Sequence, residues 1–251
     1  GAQKILPLVN RIHTSLTNLR TGQFILEDAL NLLDHSKKEN IDNTFSEKIF
    51  LKKSIKLTNI YFSYNKNDNW ILKNINLEIK KGSTVVVKGP TGCGKSTLGN
   101  IIIGLLDPTK GQLFVDDISI NFQNKTAWQK NISIIPQSIF LNDVSIAENI
   151  AIGVDPKKIN LEKVKNVARQ AQIADFIESI PSQYEEKVGE RGIRLSGGQR
   201  QRIGIARALY REAKIILFDE ATNQLDTDTE SLVMQSINNL NKEITIIFIS
   251  H

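Results

Sequence analysis

The sequence predicts an α/β fold with three parts: a core of mainly parallel sheet, an antiparallel β lobe ahead of it, and a helical lobe. The core is indicated by an apolar strand, Thr84 to Val87, that runs directly into a glycine-rich loop and then a helix. Two later apolar runs, Ile215 to Phe218 and Ile244 to Ile249, are typical of buried parallel strands. A helix predicted between them, from Asp228 to Leu240, gives the β-α-β order of a parallel sheet.

The loop after the first of these strands fits the phosphate-binding pattern G-x-x-x-x-G-K-[ST] at every fixed position. It consists of Gly89, Pro90, Thr91, Gly92, Cys93, Gly94, Lys95 and Ser96, which we call the glycine loop. Glycines let the backbone wrap around phosphates, so that its N–H groups and the positive end of the next helix face them. Lys95 offers a charge to the β and γ phosphates, Ser96 offers a hydroxyl to Mg²⁺, and Thr97 extends the predicted nucleotide site. The core is therefore predicted to be a P-loop NTPase fold.

Alternating polarity predicts the strands of the antiparallel lobe ahead of the loop. The residues that share strand faces are Ile60, Phe62 and Tyr64 on one strand and Ile75, Leu77 and Ile79 on the next. After the loop, the apolar stretch from Ile101 to Leu106 predicts that the first helix reaches Leu106. The later predicted elements are a hairpin at Asp116 and Asp117, a strand from Ile132 to Ile135, and a mostly helical stretch from Ser145 to Ile180.

The first 33 residues place apolar side chains at helical spacing and predict an amphipathic helix, bent near Gly22. Residues 34–53 are predicted to be a polar linker and the start of the folded domain, which then covers residues 54–251. The helix has no partner in its own neighbourhood. It is expected either to pack on the domain or to be the end of a longer element.

Composition restricts the function classes. No apolar run approaches the roughly 18 residues needed to cross a bilayer, and the N-terminus has no signal-peptide pattern, so the chain itself is expected to be soluble. The net charge of +5 is spread without a block of like charge, which gives no argument for nucleic acid as a partner. A single cysteine excludes an intrachain disulfide. Cys93 is either a small filler, which we favour, or a reactive thiol in the glycine loop.

Two acidic residues follow the apolar run that starts at Ile215. A buried strand that ends in Asp219 and Glu220 delivers these carboxylates to the carboxyl edge of the sheet, where phosphate loops also lie. Asp219 is predicted to hold Mg²⁺, directly or through water, and Glu220 to polarise an attacking water. The pattern is weak alone and becomes strong beside the glycine loop.

A second glycine-containing segment precedes a predicted helix from Ile203 to Tyr210. It consists of Leu195, Ser196, Gly197, Gly198 and Gln199. Two glycines that open a helix form an anion site, and one triphosphate cannot easily use two helix ends that are separated in the fold. The simplest interpretation is that this segment serves the nucleotide of another copy.

Together these residues resemble the ATP-binding-cassette (ABC) ATPases, whose signature motif reads LSGGQ, as residues 195–199 (the signature segment) do here. The resemblance covers Ile55 to His251 and identifies the helical lobe as the part that carries the signature. It implies that Tyr64 stacks on adenine and that Gln137 links Mg²⁺ and the catalytic water to the transport domain. It further implies that Asp226 lies in a loop at the dimer interface and that His251 contacts the γ-phosphate. Taken singly, Tyr64 would be a core aromatic, Gln137 a loop amide and His251 a surface residue.

Within the family, the sequence resembles exporters. Val188 to Gly192 resembles their extra loop, the N-terminal helix resembles the tail of their last transmembrane helix, and Leu6 to Ile12 resembles lipid-linked oligosaccharide flippases. Two departures are present. Asn223 and Gln224 replace the commoner Ser-Ala at the dimer interface, and family domains continue past the histidine, so the chain is expected to end before its domain does.

The resemblance implies an ATP- and Mg²⁺-dependent ATPase that powers an exporter or flippase at the cytoplasmic face of a membrane. Two copies would pair head to tail, each ATP lying between the glycine loop of one and the signature segment of the other, so that a homodimer suffices. The transmembrane domain of the same transporter would be the other partner. One alternative is a soluble ABC protein of chromosome maintenance or translation, which would usually carry coiled-coil insertions or tandem cassettes. Another is an ATP-responsive binding module, against which Glu220 and His251 argue.

Overall fold

The computed structural model describes residues 11–30 (without 12, 25, 28 and 29), 49–65, 69–219 and 243–250. The chain divides into two compact units, Gly1–Ser46 and Glu47–His251. In the first unit the described residues are helical and exposed, and we label them α1. Thr17 and Thr21 donate hydrogen bonds to carbonyl oxygens one turn earlier in this helix. The linker predicted from residue 34 lies outside the described residues up to residue 48.

The second unit contains the strands and the remaining helices. The described strands are β1 (Ser54–Phe62), β2 (Leu72–Lys80), β3 (Thr84–Lys88), β4 (Lys110–Val115), β5 (Ile118–Ile120), β6 (Ile132–Ile135), β7 (Ile215–Asp219) and β8 (Thr245–Ser250). The described helices are α2 (Lys95–Ile102), α3 (Lys125–Gln129), α4 (Ile146–Ile150), α5 (Leu161–Gln170), α6 (Ala174–Ser179) and α7 (Gly197–Tyr210). The predicted α/β fold is confirmed. The helix predicted from Asp228 to Leu240 lies outside the described residues.

The antiparallel lobe is a four-stranded sheet in the order β2-β1-β4-β5. At the start of β1, Ile55 lies opposite Ile79 on one side and Val115 on the other, and all three side chains are fully buried. The hairpin predicted at Asp116 and Asp117 connects β4 to β5. Tyr64 does not share a strand face, because β1 ends two residues before it.

The core sheet is parallel, in the order β3-β8-β7-β6. Successive residues of β7 point to opposite faces and are buried on both, as expected for a strand covered on each side. Ile216 and Phe218 join the apolar cluster beneath the helical lobe, whereas Ile215 and Leu217 join the cluster shared with α2, α3 and the antiparallel lobe. The carboxyl ends of these strands meet at one edge, and the glycine loop follows β3 at that edge.

α2 packs against the core sheet through Gly99, where an added Cβ would lie 2.5 Å from Ile249 Cδ1. The prediction that this helix continues to Leu106 is wrong, because α2 ends at Ile102. Gly104 has a left-handed φ of 73°, and Leu105 N–H donates back to the Asn100 carbonyl at 2.8 Å. A glycine in this conformation closes a helix.

The helical lobe is formed by α4, α5, α6 and α7, which share one buried apolar cluster. The predicted mostly helical stretch from Ser145 to Ile180 corresponds to α4, α5 and α6 with a short 3-10 turn, Pro156–Lys158, between α4 and α5. α7 is the longest of the four and packs against α4, α5 and β6, so that it joins the lobe to the core sheet. Among the described residues, no helix has the length and apolar character required to cross a membrane.

Candidate nucleotide site

The glycine loop connects β3 to α2, and its backbone conformation requires glycine at two positions. Gly92 and Gly94 have left-handed φ values of 80° and 95°. A Cβ added to Gly94 would lie 3.0 Å from side-chain atoms of both Ile71 and Leu72, and one added to Gly89 would lie 2.8 Å from Cys93 Sγ. At Gly92 and Gly94 the backbone therefore adopts a conformation that a side chain would strain, and at Gly94 a side chain would also press on its neighbours.

Lys95 is the first residue of α2, and its side chain folds back over the glycine loop. Only 6% of it is exposed, and its Nζ donates to the Gly89 carbonyl at 2.9 Å and the Pro90 carbonyl at 3.0 Å. The ammonium group and the positive end of α2 thus lie at the same loop. This arrangement suits a polyanion such as a triphosphate.

Ser96 and Asp219 bring two oxygen ligands together beside the glycine loop. Ser96 lies in the first turn of α2 and Asp219 at the end of β7, and the Ser96 hydroxyl contacts Asp219 Oδ1 at 3.3 Å. A hydroxyl and a carboxylate are ligands that Mg²⁺ prefers, and Mg²⁺ at nucleotide sites takes its remaining ligands from phosphates and water. The donor set therefore fits Mg²⁺.

Tyr64 lies close to the same loop. Its ring packs edge-to-face on Phe62 with 4.9 Å between centroids, and its hydroxyl is 3.4 Å from the Thr97 hydroxyl in α2. Tyr64 is nevertheless 61% exposed, whereas Thr97 is buried. Tyr64 thus presents a largely exposed aromatic side chain near the start of α2.

Gln137 lies two residues beyond β6, the strand next to β7, and its side chain is exposed. Within the described part of the chain it has no hydrogen bond to Ser96 or Asp219. The structure therefore places Gln137 at the carboxyl edge of the core sheet without joining it to the metal-ligand pair.

The signature segment forms the start of α7. Ser196 is the N-cap, and its hydroxyl accepts from the Gln199 N–H at 3.2 Å while Gln199 Oε1 accepts from the Ser196 N–H at 2.8 Å. This reciprocal capping box holds the first turn of α7 in place. Leu195 is buried beneath it and Ser196 is exposed.

The structure thus brings together the glycine loop, Tyr64, Thr97 and Asp219. Across the described ranges, no hydrogen bond joins the signature segment to the glycine loop. The predicted site residues Glu220, Asp226 and His251 lie outside the described residues. Sequence reasoning missed Ile71 and Leu72, which pack on Gly94 beneath the loop. Their apolar character in a strand-like pattern was the only signal, and it does not distinguish them from other core residues.

Comparisons with known proteins identify the family. The chain matches the ABC transporter family over residues 72–223. Heterocyst differentiation ATP-binding protein HepA of Nostoc sp. is 37% identical over 99% of this chain and 40% of that protein. The ATP-dependent lipid A-core flippase of Pseudoalteromonas translucida is 33% identical over 94% of this chain and 40% of that protein. A solved structure, a bacterial Atm1-family ABC exporter with ATP bound, aligns with a TM-score of 0.72 at 35% identity, covering 82% of this chain and 36% of that one.

The chain spans about two fifths of the length of these curated relatives. The resemblance to exporter-type ABC ATPases is confirmed, and relatives that include a flippase and an Atm1-family exporter favour this class over a soluble ABC protein of chromosome maintenance or translation. The ATP-binding domains of such exporters are ATPases. The chain therefore belongs to the ABC transporter family, as an ATP-binding, ATP-hydrolysing domain of the exporter type.

Proposed function

We propose that the chain hydrolyses Mg-ATP to drive an exporter or flippase. The observation that carries this proposal is the Lys95 ammonium inside the glycine loop, with the Ser96 and Asp219 oxygens 3.3 Å apart beside it. Lys95 binds the β and γ phosphates, and the exposed ring of Tyr64 stacks on the adenine. Ser96 and Asp219 would hold Mg²⁺, with Gln137 as a further ligand, and the ion would offset phosphate charge.

Glu220, which follows Asp219 directly, is proposed as the general base that polarises the attacking water. His251, which follows β8, contacts the γ-phosphate, and Asp226 contributes to the interface between copies. The signature segment of a second copy covers the ATP, and the exposed position of the N-cap Ser196 at the start of α7 supports this role. Two copies of one chain supply all parts of both sites.

A transmembrane domain is proposed as the second partner, with this domain at the cytoplasmic face of the membrane. Support comes from an open groove of about 570 Å³ between the segment after Gln137 and the segment before the signature. Phe140 and Ile193 in this groove are 62% and 80% exposed and lie beside Glu190, Arg191 and Arg200, so that the groove offers apolar and charged contacts to a partner. The helix predicted over residues 1–33 is proposed as the tail of the last membrane helix. The name of one relative mentions lipid A-core and that of another mentions iron-sulfur clusters. Because these cargoes differ, the proposal is limited to ATP-driven export.

Lys95→Ala tests the nucleotide site. We expect ATP affinity to fall on the order of 100-fold or more, because the ammonium group acts on the same phosphates as the loop. Lys214→Ala is the matched control, since Lys214 precedes β7 at the opposite edge of the core sheet. Equilibrium titration with Mg-ATP measures both variants. Equal affinity of Lys95→Ala and the unaltered chain would contradict the assignment of the glycine loop.

A further inference from the structure

Arg207 in α7 is partly buried, and its described partners are uncharged. Its Nε donates to the Asn149 carbonyl at 2.9 Å, its Nη1 to the Phe140 carbonyl at 3.2 Å, and its Nη2 to Asn149 Oδ1 at 3.4 Å. None of the ion pairs found among the described residues includes it. Burial lowers the pKa of the Arg207 guanidinium. Since none of the described carboxylates pairs with Arg207, its interactions are the hydrogen bonds to Asn149 and Phe140.

Its first tie is to the segment that follows Gln137. Phe140, whose carbonyl accepts from Arg207, lies three residues after Gln137. The preceding residue, Ile139, packs on α7 at Gly204, where an added Cβ would lie 2.8 Å from Ile139 Cδ1. Gly204 is almost one helical turn before Arg207. Two successive residues are therefore attached to the same face of α7, one by packing and one by a hydrogen bond.

Its second tie runs through Asn149, which is 1% exposed. Asn149 Oδ1 accepts from the Asn142 N–H at 3.0 Å, and Asn149 Nδ2 donates to the Asn142 carbonyl at 3.0 Å. Arg207 and Asn149 together hold the backbone of residues 140–142 to α4 and α7. Gln137, in contrast, is exposed and lies two residues beyond the core-sheet strand β6. The chain thus passes from core sheet to helical lobe between Gln137 and Phe140.

We propose that Arg207 is a positioning residue that locks Phe140 to α7, so that a displacement of α7 is passed to Gln137. About 16 Å of helix separate Ser196, at the amino end of α7, from Arg207. Because α7 is one continuous helix, a movement of its start when nucleotide binds at Ser196 would also move Arg207 and, with it, the backbone at Phe140. The inference rests on the proposed function, in which Gln137 takes part in ATP hydrolysis.

Hydrogen exchange of the segment covering residues 139–144 tests the lock directly. In Arg207→Met we expect the Asn142 amide to exchange roughly tenfold faster or more, because its acceptor, Asn149, loses the charged group that holds it. Arg202→Met is the matched control. Arg202 is also in α7, donates only to the backbone carbonyls of Gly198 and Gln172, and likewise has a pKa lowered by burial. It should leave Asn142 exchange unchanged.

Steady-state ATP hydrolysis gives a second readout. Arg207→Met should lower kcat on the order of 10-fold to 100-fold with little change in KM for ATP, because a mispositioned group affects the reaction more than nucleotide binding. Arg207→Lys should recover part of kcat, since one ammonium can reach one carbonyl. Arg211→Met, at the exposed end of the same helix, should match the unaltered chain.

Equal Asn142 exchange in Arg207→Met and Arg202→Met would overturn the proposal, as would a raised KM at unchanged kcat. If Arg207→Met does not fold, Arg207→Lys is tested instead. Asn142 exchange equal to that of the unaltered chain would overturn the proposal, whereas exchange that is faster, but by less than about tenfold, would support it. Exchange is measured without nucleotide. If the unaltered chain binds ATP but does not hydrolyse it, the proposed function is contradicted. The hydrogen-exchange measurement would still decide whether Arg207 holds Phe140 and Asn142 in place.

Discussion

Gly94 stands where the glycine loop becomes α2, and two separate constraints act on it. Its φ of 95° is left-handed, and the space where a Cβ would go is occupied by Ile71 and Leu72. A left-handed φ costs a residue with a side chain about 1–2 kcal/mol. In addition, α2 or β2 must shift to relieve the close contact between the added Cβ and Ile71 and Leu72. Because the N–H groups proposed to bind phosphate belong to this turn, we expect the displacement to affect binding as well as stability.

Gly94→Ala is therefore expected to destabilise the chain by more than about 2 kcal/mol and to weaken ATP binding. Gly153→Ala isolates the first constraint, because Gly153 also has a left-handed φ, of 83°, but no atom within 4 Å of the added Cβ. The control should lose about 1–2 kcal/mol and keep its ATP affinity. Chemical denaturation and ATP titration measure both. Equal losses in the two variants would show that the contact with Ile71 and Leu72 has no effect.

Single residues of the loop were predictable from sequence because each fixed position has its own physical reason. The hydrogen bonds of Lys95 to loop carbonyls were not, since they depend on how the loop closes on itself. Tyr64 was wrongly predicted to share a strand face. Alternating polarity continues to Tyr64, whereas the backbone pairing of β1 ends at Phe62, and polarity does not report pairing. Its proximity to Thr97 could not be predicted, because the two residues are joined only through the tertiary fold.

At the scale of elements, α4 is a short helix whose start depends on a capping box. The Ser145 N–H and hydroxyl donate to Glu148 Oε2 at 3.0 and 2.8 Å, and the Ser145 hydroxyl accepts from the Glu148 N–H at 3.1 Å. The hydrogen bonds from the Ser145 hydroxyl and backbone lower the pKa of the Glu148 carboxyl. With five residues, α4 has few other hydrogen bonds to define its start.

This lowered pKa makes stability depend on pH in a defined direction. The contribution of Glu148 is complete above the ordinary glutamate pKa of about 4.3, shrinks as the pH falls below it, and is lost once the pH passes below the lowered pKa of the folded state. Glu148→Gln keeps the acceptor but not the charge, so it should cost about 0.5 kcal/mol near pH 7 and nothing in acid. Thermal unfolding of both chains between about pH 3 and 7 measures the difference. A stability difference that stays constant across that range would show that the ionisation of Glu148 is not its source.

Element ends were less predictable than elements. The predicted strand from Ile132 to Ile135 coincides with β6, because an apolar run between polar residues has sharp limits. The predicted end of α2 at Leu106 failed, because the apolar residues continue past Gly104 and only the glycine's left-handed φ ends the helix. A glycine within an apolar run is tolerated in many helices, so sequence alone did not identify this stop.

At the scale of the whole molecule, the core sheet separates two apolar clusters, one beneath the helical lobe and one shared with the antiparallel lobe. The order of strands, glycine loop and acids predicted the class of fold, since few arrangements satisfy a parallel sheet with these loops at one edge. The division of each strand's faces between the two clusters was not predictable, because a strand buried on both sides has no alternating pattern.

In the proposed function each ATP lies between the glycine loop of one copy and the signature segment of the other, which leads to a prediction for the assembled molecule. Glu220→Gln should retain ATP binding and slow hydrolysis on the order of 100-fold to 10,000-fold, because an amide keeps the shape of the general base and loses its basicity. We propose that ATP closes the pair of copies and that hydrolysis releases it, so this variant should accumulate as a dimer in Mg-ATP. Sedimentation velocity with and without nucleotide measures the dimer.

Adding Ser196→Arg to the Glu220→Gln chain should abolish that dimer while preserving ATP binding, because the bulky side chain would occupy the place of the other copy's γ-phosphate. Ser182→Arg is the matched control, since Ser182 is also an exposed serine but precedes the 3-10 turn Gln183–Glu185 and is not part of the signature segment. It should leave the dimer intact. If Glu220→Gln binds nucleotide yet stays monomeric in saturating Mg-ATP, the shared site is wrong for this chain. The capping box of Ser196 and Gln199 would then present the start of α7 to a partner other than a second copy.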